Sequence, residues 1–296
     1  MTASTKTSTS GRVSFIQRFV QHRIGVLGAF IVLAAILIAV LAPILAPQRR
    51  FMYDEQLSPP SAAHPFGTTP LGRDVLSEVI WGTRVSLMFA IGVTGISLAI
   101  GIFLGAIPAF YGGWIDDVFS RGFEVFILIP RFFLILLTVA LFGMNIMIAM
   151  VVVGLTAWVT NARVARAQVL SLKERTFVKA SKVAGASNMR LMLKHILPNG
   201  IYPIIGNSVL NMSGAILTEA ALSFLGMGDV NYASWGQVMH LALSHVRSWW
   251  LAVFPGLAIF VLSFGFNLLG DGFTYALNPR LQTRIIEEEK FDALKS

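Results

Sequence analysis

The side chains that could do chemistry fall into two groups: a basic segment between Arg163 and His195, and a few polar residues inside long apolar runs. In the first, eight Lys and Arg stand against one acidic residue, Glu174, so the segment is too charged to enter hydrocarbon and presents a cationic surface instead. In the second, Asn207, Asn211 and Thr218, with Gly214 between them, fall within about 60° of one another around a helix. A polar group in hydrocarbon must face protein or water. The stripe therefore either walls a path through the membrane or makes helix-to-helix hydrogen bonds. Glu219 lies about 120° away from it and serves another contact. Glu124 and Arg131 share a face across Pro130 and pair either with each other or with a neighbouring helix.

Other chemistry is not supplied. The absence of cysteine removes disulfides, thiolate metal sites and a cysteine nucleophile. A phosphate-cradling loop needs GxxxxGK[ST], and no Gly-Lys pair occurs. The histidines, His22, His64, His195, His240 and His245, are dispersed, and the last two are five apart where a helical chelate wants four. No catalytic residue, metal site or cofactor is expected.

The elements that must position these residues are transmembrane helices. Of 296 residues 55% are hydrophobic and 13% charged, with a mean hydropathy of +0.71, a composition that water does not favour. Since about 20 apolar residues cross the hydrocarbon layer, six spans are expected: Ile24 to Ala46, ended by Pro43 and Pro47; Val85 to Ala109; about Val118 to Phe142, broken at Pro130; Asn145 to Asn161; Asn199 to Phe224; and Trp249 to Leu269. In the second span Ser97, Gly101, Gly105 and Ala109 recur every four residues, so another helix can approach closely. Before the first span, Phe15, Ile16, Phe19 and Val20 among arginines read as an interfacial helix.

The organisation expected is a cytoplasmic tail and interfacial helix over 1–23, a first span over 24–46, an external loop over 47–83, a five-helix core over 84–270 and a cytoplasmic tail over 271–296. A Tyr111-Gly112-Gly113 turn and a second polar loop carrying Tyr232, Trp235, His240, His245 and Arg247 complete it. The side holding the termini and the 163–195 segment has 17 Lys and Arg and the other has 5, so both termini are expected in the cytoplasm. The net charge of +8 has this topological origin, and no nucleic-acid partner is expected.

Within the basic segment, Phe177, Ala180, Ser181 and Ala184 share a helical face, Gly185 is placed as a C-terminal cap, and Ser187 can cap a second helix. Met189, Met192, Leu193, Ile196 and Leu197 form an apolar stripe in that helix, which Pro198 is expected to stop. Such a pair can lie on the anionic inner leaflet or dock a cytoplasmic partner.

The run from Phe177 to Ser187, ending in His195-Ile196-Leu197-Pro198-Asn199, resembles the EAA loop of ABC importer permeases. It departs from the pattern at Lys179, where a glutamate is usual, and at Ser181, where the second alanine is usual, while Ala180 and Gly185 fill their slots. The stretches His64 to Thr68 with Leu71 to Ser77, Glu219 to Gly228, and Phe266 to Gly272 narrow the resemblance to the C-type subunit of the dipeptide/oligopeptide permease group, over nearly the whole chain.

The resemblance implies an all-α type I importer fold, a sister permease subunit, two ATP-binding subunits and an extracytoplasmic solute-binding protein. It implies that the 163–198 loop, through Phe177, Lys179, Ala180, Ser181, Gly185 and Ala186, is the helix gripped by the ATPase. The expected function is half of a translocation path for peptides, or in the same importer type for nickel complexes, glutathione or oligosaccharides. A secondary transporter would need an ionisable relay, and a membrane scaffold would use the cytoplasmic helices only for docking; neither relay nor internal repeat stands out.

Overall fold

The computed structural model describes residues 15–46 and 55–277, and among them every regular element is helical. Helix α1, Phe15–Gln21, leads through His22 into α2, Arg23–Leu45, where His22 accepts a hydrogen bond from the Gly25 amide as the N-cap. Helix α3 spans Val75–Tyr111, and α4, Gly113–Ile127, follows after Gly112. Then α5, Arg131–Phe142, is bent by 72° from α4, with Pro130 as its N-cap. Helix α6 is Ile146–Lys173, and α7, Thr176–Val183, lies beyond it. A single turn α8, Asn188–Arg190, passes through a π-helical stretch, Leu191–Ile196, into α9, Leu197–Leu222. Helices α10, Trp235–Ser244, and α11, Trp250–Leu277, complete the order.

Among the described residues five helical segments are long and apolar enough to cross a membrane, and the bent pair α4/α5 makes a sixth candidate. The chain beyond the span candidates is structured as well. Asp74 caps α3 by accepting from the Ser77 amide at 2.8 Å and meets the His64 ring at 3.2 Å, while Trp250 Nε1 donates to the Thr68 carbonyl at 3.0 Å.

Small residues set the helix spacing. Ser97, Gly101, Gly105 and Ala109 are all buried, and α3 makes its largest contact with α6 along them. A Cβ on Gly101 would lie 2.6 Å from Asn161 Cβ, and one on Gly105 would run into the Ala162 carbonyl. At the other side of the bundle a Cβ on Gly25 would lie 2.6 Å from Gly272 Cα, which is how closely α2 and α11 cross. Between them the core collects Ala35, Phe89, Val153, Ile216, Trp235 and Phe266 from α2, α3, α6, α9, α10 and α11.

Several helix boundaries differ from those expected. The second span's helix starts at Val75, inside the segment read as external loop, because the Asp74 cap and the apolar contacts of Val75 with Leu251 and Val238 begin it there. Helix α6 continues past Asn161 to Lys173, its charged end held by bonds described below. Pro43 does not end α2, which runs two residues further, since a proline in the last turn forfeits only one backbone bond. Pro47 lies outside the described residues.

Pro198 likewise does not stop the second helix of the basic segment. One helical course runs from Asn188 to Leu225, ending at a kink at Gly226, and the π-helical stretch before Pro198 absorbs the missing donor. The second polar loop contains α10, started by Ser234 accepting from the Gly236 amide and buried through Trp235 and Val238. Finally α11 passes Asp271 to Leu277, because Phe273 packs against Phe15 and Phe19 of α1.

Candidate functional site

Two sites emerge, and α9 joins them. The first is the α7 to α8 segment. Val178 is the buried residue of α7; it packs with Leu191 and Ile196 against Ala106 and Ala109 of α3 and Val169 of α6. Apolar burial at that one point fixes α7 to the ends of the two helices that share the bundle's largest contact. Polar ties brace the same end: Arg166 grips Asp116 of α4 with two hydrogen bonds of 2.7 and 2.8 Å, and Lys173 Nζ donates to the Ala109 carbonyl at 3.0 Å, next to the end of α3.

The turn that ends α7 is a Schellman motif. The Ala186 amide donates to the Ser181 carbonyl and the Gly185 amide to the Lys182 carbonyl, both at 3.0 Å. Gly185 takes φ of +85°, a left-handed conformation in which a β-carbon is unfavourable. Ala186 packs onto the Val178 cluster, supplying the motif's apolar contact. Ser187 then accepts from the Arg190 amide and starts α8.

What remains uncovered is the opposite face. Phe177, Lys179, Ala180, Val183 and Met189 are exposed, Val183 to 90%, and Ser181 is half-buried with its hydroxyl turned back to the Phe177 carbonyl at 2.9 Å. Lys179 Nζ reaches Glu174 Oε2 at 2.8 Å, and this hydrogen bond holds the Glu174 carboxyl below the usual carboxylate range. The expected apolar stripe of the second helix divides: Met192 and Ile196 are buried and Leu197 half-buried, but Met189 and Leu193 are exposed. The π-helical stretch shifts the helical phase and turns Leu191 inward instead.

The second site is a cavity of about 280 Å³ among α3, α5, α6 and α9, to which Thr94, Ser97, Arg131, Thr156, Asn211 and Thr218 contribute polar groups. Asn211 and Thr218 of the expected stripe line it, with Gly214 between them. Asn207 does not. Its Nδ2 donates to Asn161 Oδ1 at 2.9 Å, in a network in which Asn161 Nδ2 donates to Ser97 Oγ at 2.9 Å and Ser208 Oγ to Asn161 Oδ1 at 3.1 Å. The stripe divides: Asn207 stitches α9 to α6, and Asn211 and Thr218 face the cavity. Asn161 is fully buried at the centre of this network. Its place at the end of an uncharged run hid that role, although a lone amide beside a span boundary was the available signal.

Glu219 does serve another contact, accepting from Ser223 and Ser234 at 2.9 and 2.7 Å and so tying α9 to the start of α10. Glu124 and Arg131 form no pair with each other among the described residues; the 72° bend at Pro130 breaks the shared face, and Arg131 turns to the cavity. Among the described residues no group of three His, Cys, Asp or Glu could hold a metal.

Comparison with known proteins places these features in a family context. The family described as "Binding-protein-dependent transport system inner membrane component" matches residues 97–283, and that described as "N-terminal TM domain of oligopeptide transport permease C" matches residues 13–60. The dipeptide transport system permease protein DppC of Bacillus subtilis is 37% identical over 271 residues, 90% of this chain and 85% of that protein. The oligopeptide transport system permease protein OppC of the same organism is 34% identical over 90% of this chain and 88% of its own. The glutathione transport system permease protein GsiD of Pectobacterium atrosepticum is 34% identical over 91% of each.

Proposed function

The chain belongs to the family of binding-protein-dependent transport system inner membrane components, and on that premise we propose that it moves di- and oligopeptides, with α7 as the element through which an ATPase drives it. As a member it is a multi-pass permease subunit of an ABC importer in the inner membrane, and it is not itself an enzyme: ATP hydrolysis resides in separate subunits. Peptides as solutes rest on the dipeptide and oligopeptide relatives. Glutathione, carried by another relative, is itself a small peptide.

The observation that carries the mechanism is the continuous helical course from Asn188 to Leu225, which ends at a kink at Gly226. It starts beside the anchored α7, and further along it presents Asn211 and Thr218 to the cavity. When two ATP-binding subunits close on ATP, the segment carrying Phe177, Lys179, Ala180, Ser181, Gly185 and Ala186 is carried with them. The Val178 anchor transmits the motion to α3 and α6, and the continuous helix transmits it to α9. A packed interior conveys such a displacement rather than absorbing it. The cavity, completed by a sister permease, then opens outward to a solute-binding protein and returns after hydrolysis. ATP must bind one membrane conformation better than the other for this to do work.

The positive-inside distribution supports cytoplasmic termini and an external segment around residues 55–74. The chain has no cysteine, so a Phe177→Cys variant carries a single thiol. Assembled with its partners, it should crosslink to an ATPase subunit, and the yield should change between nucleotide-free and ATP-bound states. No crosslink in either state would remove α7 from the contact.

A further inference from the structure

The cavity holds one charge, and nothing among the described residues pairs with it. Arg131 lines the space and forms no ion pair among the described residues. An arginine at membrane depth is costly and finds a partner or marks a path. Two further features converge there. Arg131 is the first residue of α5, a 12-residue helix with no side-chain cap, so the positive dipole end of α5 stands at the cavity with no side-chain acceptor on it. Across the cavity wall Thr94 is only 5% exposed, and its hydroxyl has no hydrogen-bond partner. A buried hydroxyl left unpaired at a cavity surface is unfavourable until a ligand satisfies it.

A cation, a helix N-terminus and a spare hydroxyl together suit a carboxylate. Guanidinium binds carboxylate in a two-pronged planar geometry, and helix amides add to it. The remaining polar lining is neutral, from Ser97, Thr156, Thr160, Asn211 and Thr218. One charge among hydroxyls gives a site that attracts an anion without trapping it, as a conduction path requires. The volume, about 280 Å³, is at the lower end for small-molecule sites and admits the end of a peptide rather than a long chain.

We propose that this cavity receives the free C-terminal carboxylate of a passing peptide, held by Arg131, the N-terminus of α5 and Thr94. The proposal rests on the peptide-import reading, and the test separates the two. The whole importer, with both permeases, the ATPases and the binding protein, is reconstituted in proteoliposomes and given radiolabelled dialanine. Arg131→Gln should lower uptake about ten- to a hundredfold, Arg131→Lys clearly less, and Thr94→Val by less than tenfold. ATP hydrolysis stimulated by loaded binding protein should persist in all three, because none touches the α7 contact. Wild-type uptake in Arg131→Gln overturns the assignment, as does a loss that Arg131→Lys shares in full, since charge is then not what the cavity uses. A wild-type importer that takes up no dialanine overturns the peptide reading, and this inference with it.

Discussion

Gly185 isolates backbone conformation from every other variable in the α7 segment. Its φ of +85° lies in the region that L side chains rarely adopt, yet a β-carbon there would meet nothing within 4 Å. Substitution therefore creates no clash, and the cost is purely that of forcing a substituted residue left-handed, about 1–2 kcal/mol. That amount shifts a local equilibrium by a factor of roughly 5–30, enough to open the Schellman turn and let Ala186 leave the Val178 cluster.

The expected order of solute uptake is Gly185, then Gly185→Asn, Gly185→Ala and Gly185→Val. Asparagine tolerates the left-handed region best among the substitutes and a β-branched residue least. Because the turn lies outside the bundle core, subunit abundance in the membrane should be equal across the series. ATP hydrolysis should progressively lose its response to loaded binding protein. Uptake by Gly185→Val equal to the wild type, at equal abundance, would refute the reasoning, and so would a series ordered by side-chain volume rather than by tolerance of positive φ.

Gly105 provides the opposite case: a β-carbon there runs into the Ala162 backbone, so Gly105→Ala should lower the amount of folded subunit recovered in detergent, and unchanged recovery would contradict the tight α3/α6 packing. At the α7 surface, Glu174 is held below the usual carboxylate range, so its pairing with Lys179 is complete at neutral pH and is lost only as pH falls through that depressed value. Stimulated ATP hydrolysis should thus show no step from this pair near neutrality, whereas Lys179→Glu sets two carboxylates together and should impair it, with partial recovery in added salt; salt-independent activity at the wild-type level would count against the contact. A single cysteine at Arg175 should resist an impermeant maleimide in intact spheroplasts while one at Pro60 reacts, and labelling at 175 without lysis would invert the topology.

The spans and the basic segment between α6 and α9 were legible in the sequence because hydropathy and charge report where hydrocarbon begins and ends. They do not report where a helix ends. Lys173 terminates α6 well past the uncharged run that ends near Asn161, its ammonium bound to the Ala109 carbonyl, and Val75 begins α3 within a proline-rich stretch because Asp74 caps it. The Schellman glycine was readable because Gly185 between two amphipathic runs has one geometric use. Val178 was not, since a single anchor in an eight-residue helix leaves no periodicity to detect. The polar stripe showed which residues share a face of α9 but not what that face meets. Only the crossing of α3, α6 and α9 sends Asn207 to Asn161 and Asn211 to the cavity. The turn of Arg131 into that cavity depends on the 72° bend, which a proline announces without fixing its angle.

The central claim is that this chain is a driven half-channel, unable to move solute alone. It is tested most directly by reconstituting the purified subunit in proteoliposomes, first by itself and then with its sister permease, the ATP-binding subunits and loaded binding protein, and following radiolabelled dipeptide. Accumulation inside the vesicles only with the full set and with ATP is the result predicted. Uptake by the lone subunit, driven by an ion gradient and indifferent to ATP, would contradict it.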